Sequence, residues 1–171
     1  MDFLSKKNFQ ISVDRALHLY QRHFLTTSNH DKASRLYYAC YHSAIAAVEL
    51  KADFEVLRKA EKTSYHVALQ DIYPRYYGKP TKTKKGKSKT SIVPYKVGEA
   101  LETWHEIRVV ADYIVFGENF GKDEMSATLK HIGYMADFVK LHMRYFADNF
   151  SQLLTEGQTA EIGEILPPPA S

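Results

Sequence analysis

Cysteine is almost absent from this sequence, and the chemistry that depends on it is excluded. Cys40 is the only cysteine among 171 residues, so no disulfide can close within the chain and no cysteine-based metal site can form. Long apolar runs are missing too, since no stretch approaches the roughly 18 residues of a membrane helix. The first ten residues lack the apolar core of a signal peptide. We therefore expect a cytoplasmic protein.

Several familiar catalytic motifs are also missing. Glu102 and His105 form one Glu-x-x-His pair, whereas a di-iron bundle needs two such pairs with further glutamate ligands. The sequence contains neither the Gly-x-x-x-x-Gly-Lys-Ser/Thr phosphate loop nor the Gly-x-Ser-x-Gly nucleophile turn. We predict that the chain uses no metal and no cofactor.

Positive charge is concentrated in one segment. The net charge is only +3, but residues 75–96 carry eight Lys and Arg and no acidic residue, which leaves −5 for the remainder. Phosphate binding would leave such a local cluster, and a solvated loop would have the same composition. We predict a mobile loop at 78–91. Its candidate RNA-binding residues are Lys79, Lys82, Lys84, Lys85, Lys87 and Lys89.

Apolar residues recur at spacings of three and four, which predicts helices rather than strands. We expect an all-α, up-and-down bundle of four or five helices in one domain, 1–153. The predicted helices cover approximately 9–24, 31–51, 64–77, 94–115 and 123–153. A charged connection is expected at 52–63, and the proline-containing tail, 154–171, is expected to be disordered.

Two apolar seams run along the last predicted helices. The seam of the final helix keeps a heptad spacing, typical of an antiparallel bundle or a dimer interface. It consists of Leu129, Ile132, Ala136, Val139, Met143, Phe146 and Phe150. The seam of the preceding helix contains one arginine and consists of Val97, Leu101, Trp104, Arg108, Ala111 and Val115.

Arg108 is the most informative residue of that seam. A guanidinium on a line of core side chains must find a partner or lose several kcal/mol on burial. Asp112 follows four residues later on the same helix face, at the spacing of an ion pair, and Tyr113 comes next. The pair is interpreted either as a buried structural staple or as part of a functional site.

Polar residues also mark the otherwise apolar second helix. One face carries Arg35, Tyr38, His42 and Glu49. A histidine in a buried helix is either a hydrogen-bonded core residue or a proton carrier, and both interpretations of His42 stay open. His66 and His105, the latter one turn before Arg108, are the other candidate proton carriers.

Read together, these helices resemble the HEPN superfamily, in particular its small prokaryotic members. Residues 31–44, DKASRLYYACYHSA, are similar to the family's Asn/Asp-x-Ala-Ser-Arg-x-Tyr-Tyr-Ala helix. Tyr65-His66 stands where the family often has Thr-His, and residues 108–113, RVVADY, resemble its Arg-x-x-Ala-Asp-Tyr helix. Residues 136–139 are similar to the closing helix, so that the resemblance spans roughly 14–148.

The resemblance implies a dimeric helical bundle with a cleft where residues of both subunits meet. In the ribonuclease members, an Arg-x(4-6)-His motif in that cleft cleaves RNA without metal. Many small members are toxins paired with a nucleotidyltransferase-like antitoxin. This sequence departs from the motif, because the positions where that histidine would stand are Tyr113, Ile114 and Val115. Arg35 and His42 satisfy an Arg-x(6)-His spacing, but they lie in the second helix.

Three functional hypotheses follow. The first is a metal-independent endoribonuclease, a toxin or defence effector, with Arg108, Asp112, Tyr113, His105 and His42 as catalytic candidates and with Arg35 and Tyr38 from the second-helix motif. The second is a non-catalytic HEPN module that binds a nucleotidyltransferase-like antitoxin or another effector. The third is a helical scaffold in which all of these residues belong to the core.

Overall fold

A computed structural model of the chain describes residues 3–77, 92, 97–113 and 122–166. All regular elements within these residues are helical, which confirms the predicted all-α class. The α-helices are α1 (Phe3–Arg22), α2 (Asn29–Glu49), α3 (Phe54–Glu61), α4 (Tyr65–Tyr77), α5 (Val97–Tyr113), α6 (Lys122–Phe150) and α7 (Glu156–Ile165). Short 3-10 helices at His23–Leu25 and Ser151–Leu153 follow α1 and α6. No helix in the described ranges combines the length and apolarity needed to cross a membrane.

Helix α2 is the centre of the bundle, and it packs against α1, α4, α5 and α6. Its small side chains explain this position, because alanines allow neighbouring helices to approach closely. Ala39, Ala44, Ala46 and Ala47 are completely buried. At its start, the Ser28 hydroxyl accepts a hydrogen bond from the backbone of the first turn.

Large aromatic side chains fill the space around α2. Trp104 packs edge-on against Phe138 with ring centroids 5.3 Å apart, and this contact joins α5 to α6. The buried hydroxyl of Tyr77 donates a hydrogen bond to the backbone carbonyl of Ala47 over 2.7 Å. A buried tyrosine needs such a partner because an unpaired hydroxyl is costly to desolvate.

The charged connection predicted at 52–63 contains a short helix, α3, that the apolar pattern did not predict. Local polar contacts start this helix. The Asp53 carboxylate accepts a hydrogen bond from the Val56 N–H over 2.9 Å, and Glu49 accepts one from the Phe54 N–H over 3.2 Å. Phe54 is then buried against the bundle. Capping and this burial therefore stabilise a helix of only eight residues, which would be too short to form alone.

The prediction that 154–171 is disordered is wrong for the part that forms α7. Thr155 and Gln158 make a reciprocal capping box at its start. Gln158 and Ile162 are buried. The Gln158 amide donates to the Gln10 carbonyl over 2.8 Å and to an Asp14 carboxylate oxygen over 2.7 Å. Docking on α1 thus orders this helix, whereas residues 167–171 lie outside the described part of the chain.

The predicted heptad seam of α6 is correct for only part of the helix. Val139, Met143 and Phe146 are completely buried, whereas Leu129 is 49% exposed. Met135, Phe138 and His142 are buried as well, so the buried face is wider than a coiled-coil seam. Because an α-helix has 3.6 residues per turn, positions that keep a strict heptad spacing gradually rotate away from the buried face. Helix α6 packs on α2 within the same chain, and its role in a dimer stays a prediction.

His142 is a completely buried histidine on this face. Its Nδ1 is 2.8 Å from the Phe138 carbonyl oxygen, which can only accept a hydrogen bond, so Nδ1 carries the proton. Its Nε2 therefore accepts from the Tyr73 hydroxyl over 2.8 Å. Burial lowers the pKa of His142 from 6.5 to about 4. The native core thus contains a neutral imidazole with both nitrogens hydrogen-bonded.

We expect the free energy of unfolding to fall as the pH drops from about 6.5 to about 4. The unfolded chain takes up the proton on His142 below pH 6.5, whereas the native core resists it until about pH 4. This difference in pKa corresponds to roughly 3 kcal/mol, which is fully available only above pH 6.5. Urea denaturation at several pH values measures the slope.

A pair of variants isolates the contribution of His142. Tyr73→Phe alone leaves a buried nitrogen without its donor, and it should cost about 1 to 3 kcal/mol at pH 7. Tyr73→Phe with His142→Leu removes both polar partners, so it should be closer to wild type in stability and have a shallower pH dependence. An unchanged pH slope in this double variant would contradict the assignment.

Gly98 permits a close approach between α5 and α4. A Cβ atom at this position would lie 3.1 Å from the Gln70 carbonyl oxygen and 3.4 Å from the Pro74 ring. Both neighbours belong to the α4 backbone or to a rigid ring, and neither can move away easily. Gly133 on α6 provides the comparison, since an added Cβ there meets no atom within 4 Å.

Gly98→Ala should lower the free energy of unfolding by about 1 kcal/mol or more, because overpacking strains the α4–α5 contact. Gly133→Ala should raise it by up to about 1 kcal/mol, because alanine is the better helix former at an unhindered position. Chemical denaturation of the two variants compares them directly. Equal stabilisation by both substitutions would show that α4 and α5 are not in tight contact at Gly98.

Candidate functional site

Arg108 lies where α5 packs on α2, and it has two polar partners. Its Nε is 2.7 Å from the Oδ2 of Asp112, which confirms the predicted ion pair. Its Nη2 donates a hydrogen bond to the Tyr38 hydroxyl over 2.5 Å. The side chain of Arg108 is 13% exposed and that of Asp112 is 27% exposed. The guanidinium is therefore held in a fixed position with limited access to solvent.

Two histidines from different helices meet beside this arginine. The rings of His66, from the first turn of α4, and His105, from α5, are stacked with centroids 4.8 Å apart and an angle of 26° between planes. The Tyr37 hydroxyl and His66 Nδ1 share a hydrogen bond of 2.7 Å. We refer to Tyr38, His66, His105, Arg108 and Asp112 as the Arg–His cluster.

Helix geometry explains why these side chains converge. His105 and Arg108 are three residues apart on α5 and therefore share one face. Tyr37 and Tyr38 are neighbours on α2, so that one reaches His66 while the other reaches Arg108. Helices α2, α4 and α5 are mutually in contact. The cluster thus forms where three helices meet.

Burial and the arginine keep both histidines of the cluster neutral. Desolvation, with smaller effects from the nearby His105 and Arg108, lowers the pKa of His66 to about 4. Desolvation and Arg108 also lower the pKa of His105. A neutral imidazole can accept a proton, and both rings are only partly buried. The cluster therefore combines a fixed cation with two potential proton acceptors.

His42 and Arg35, the other predicted residues of α2, have contacts of their own. The His42 ring packs against Tyr41, with centroids 5.3 Å apart. Desolvation, with smaller effects from Arg15 and His66, lowers the pKa of His42 to about 4. Arg35 donates to the backbone carbonyl of Arg22 over 3.0 Å, at the end of α1. Its guanidinium therefore has a structural role in capping that helix.

Two groups of predicted site residues are not located by the structure. The Tyr113 side chain lies outside the described atoms, although its backbone ends α5. The loop 78–91 and its six candidate RNA-binding lysines also lie outside the described residues. Their roles stay predictions.

His66 is the residue whose importance the sequence pattern understated. It is remote from Arg108 in the chain, and only its place in the Tyr65-His66 dipeptide pointed to it. Tyr37 is almost completely buried, and its hydroxyl is hydrogen-bonded to the His66 ring. Among the described residues, no group of three or more His, Cys, Asp or Glu is arranged to hold a metal ion.

Comparisons with protein-family models, with curated proteins and with solved structures found no match to this chain.

The electrostatic coupling within the cluster can be measured directly. We expect Arg108→Gln to raise the pKa of both His66 and His105, because the neighbouring positive charge that disfavours their protonation is removed. Histidine Cε1–H chemical shifts followed over pH 4 to 8 report these values. Arg144→Gln, on the exposed side of α6, is the control and should change neither pKa. Unchanged histidine titrations in Arg108→Gln would refute the proximity of these groups.

Proposed function

We propose that this protein is a HEPN-type endoribonuclease that cleaves RNA without a metal ion. The observation that carries the proposal is the meeting of Arg108 with His66 and His105. The sequence lacks the usual histidine after the arginine, and the two stacked histidines supply the missing chemical group from other positions. The resemblance of 31–44 and 108–113 to the family supports the same class.

Arg108 has the chemistry to bind the phosphate that is cleaved. A guanidinium offers several N–H donors in one plane, which match the oxygens of a phosphate group. Tyr38 and Asp112 occupy part of the donor set and fix the orientation of the rest. Such a preoriented charge stabilises the additional negative charge that develops on the phosphate during the reaction.

The histidines would move the proton. One neutral imidazole takes the proton from the ribose 2′-OH, whose oxygen attacks the adjacent phosphorus. The bond from phosphorus to the 5′ oxygen breaks, and the imidazolium returns the proton to that oxygen. The products are a 2′,3′-cyclic phosphate and a 5′-hydroxyl. Neither water nor a cofactor is consumed, so the step is balanced by the RNA and the protein alone.

The proposed dimer and protein partner rest on the resemblance to the family, and the proposed RNA contacts rest on the cluster of positive charge. Homodimerisation would bring two Arg–His clusters to a common cleft. The lysines of residues 78–91 would contact the RNA backbone, because their charge is local and not balanced by acidic neighbours. A toxin or defence role in a pair with a nucleotidyltransferase-like antitoxin belongs to this same proposal.

The low exposure of Arg108 favours a second candidate function. A guanidinium that is 13% exposed and bound by Tyr38 and Asp112 could serve only to join α2 to α5. The protein would then be a non-catalytic HEPN module that binds an antitoxin or another effector. Here Arg108→Ala should cost about 3 to 5 kcal/mol, because it leaves a partly buried carboxylate without its partner.

Under the ribonuclease proposal, Arg108→Ala should abolish RNA cleavage while the circular dichroism spectrum stays helical. Wild-type cleavage should persist in EDTA and yield 2′,3′-cyclic phosphate ends. The assay is incubation of purified protein with defined RNAs, followed by product analysis. Arg144→Ala, an exposed arginine on α6, serves as the matched control and should cleave like wild type.

Histidine variants keep the test decisive if Arg108→Ala fails to fold. His66→Gln and His105→Gln should each reduce kcat/KM, with a loss of about 100-fold or more for the residue that carries the proton. His18→Gln, an exposed histidine on α1, should have no effect. Full activity in both cluster variants, or cleavage that disappears in EDTA, would refute the mechanism.

A further inference from the structure

An exposed tyrosine lies next to the Arg–His cluster and has a guanidinium over its ring. The Cζ of Arg58, from α3, is 4.0 Å from the centroid of Tyr65, the first residue of α4. Tyr65 is 48% exposed. The following residue is His66, whose ring lies inside the cluster. The first turn of α4 therefore presents one aromatic ring to solvent and one imidazole to the cluster.

The Arg58–Tyr65 pair is held in place by its surroundings. The Glu55 carboxylate accepts two hydrogen bonds from Arg58, of 3.0 Å at Nε and 2.6 Å at Nη2. Lys59 lies 3.6 Å from the same carboxylate. On the protein side, the ring of Phe54 lies 6.5 Å from that of Tyr65. The guanidinium is thus fixed against the ring before any ligand arrives, and the Glu55 charge is compensated by two cations.

Tyr41 connects the pair to the cluster. Its ring centroid is 4.8 Å from that of His66. Burial raises the pKa of Tyr41, Tyr65 raises it further and Arg58 opposes the increase, which reflects how close these three side chains are. Tyr41 is therefore close both to His66 in the cluster and to Tyr65 at the surface.

The chemistry of the pair fits a nucleobase. Aromatic rings and arginine planes are the surfaces on which unpaired RNA bases stack. A base in a duplex is already stacked between its neighbours and cannot use such a surface without unstacking. The Tyr65 hydroxyl also hydrogen-bonds to the Glu55 carboxylate, which holds the ring in place while Tyr65 stays 48% exposed to solvent.

We propose that Arg58 and Tyr65 form a stacking platform for an unpaired base next to the phosphate held at Arg108, so that the substrate is single-stranded RNA. The location of this base rests on the proposed function. Its binding, however, can be measured without any cleavage.

The test uses a fluorescently labelled, single-stranded RNA with 2′-O-methyl groups, which cannot undergo 2′-OH attack. Fluorescence anisotropy gives its Kd for the full-length protein. Tyr65→Ala and Tyr65→Leu should each weaken binding roughly tenfold, because they remove the stacking ring. Tyr65→Phe, which keeps the ring, should bind like wild type. Tyr65→Leu retains apolar packing on Phe54, so it separates stacking from folding.

Tyr134→Ala is the matched control for loss of an exposed tyrosine. Tyr134 is 44% exposed, and the Nζ of Lys130 lies 5.7 Å from its ring centroid. Its substitution should leave Kd unchanged. A second probe has the same backbone but abasic residues. Wild type should bind this probe more weakly than it binds the base-containing RNA. Tyr65→Ala should bind the abasic probe with the same Kd as wild type.

The platform would be overturned by equal binding of the base-containing RNA by wild type and Tyr65→Ala, or by no binding of that RNA by wild type. An equal loss on the base-containing and abasic probes would also reject it. Binding that depends on Tyr65 in a protein that does not cleave RNA would reject the enzymatic proposal alone. Cleavage that depends on Arg108 but not on Tyr65 would reject only the platform.

Discussion

A guanidinium placed between two packed helices determines much of this structure. Arg108 cannot be desolvated at the α2–α5 contact without acceptors, and Asp112 and Tyr38 provide them. Asp112 comes from the same helix, whereas Tyr38 comes from the centre of the bundle. The requirement to satisfy one charge therefore sets how α5 lies against α2 and which residues surround the candidate site.

The same packing determines the protonation of the neighbouring histidines. His66 and His105 are partly removed from water and lie near a permanent cation, and both effects favour the neutral imidazole. A surface histidine would be partly charged near neutral pH and would compete with Arg108 for the role of cation. In this arrangement the charge and the proton acceptors are separate groups, which is what acid–base chemistry on a phosphate requires.

The proposed ribonuclease differs in one respect from the family that it resembles. The arginine and the histidine of that family belong to one short motif, whereas here Arg108 has His105 one turn before it and His66 from another helix. The chemistry of a site between packed helices depends on which side chains meet there. Histidines at several different sequence positions can place an imidazole beside the same arginine. Tyr65, which is exposed beside the largely buried Arg58, extends this region to the surface, where a flexible, single-stranded ligand could reach it.

The sequence by itself determined the helical class and the Arg108–Asp112 pair, because each depends on residue spacing within one helix. It did not predict α3 or α7, because α3 is only eight residues long and starts at local capping contacts, and α7 is held by docking on α1. Only the tertiary structure brought His66 to His105 and Tyr38 to Arg108, since these contacts join residues 39 and 70 positions apart. Periodicity describes one helix at a time, and the partners across a helix contact are decided by how whole helices pack.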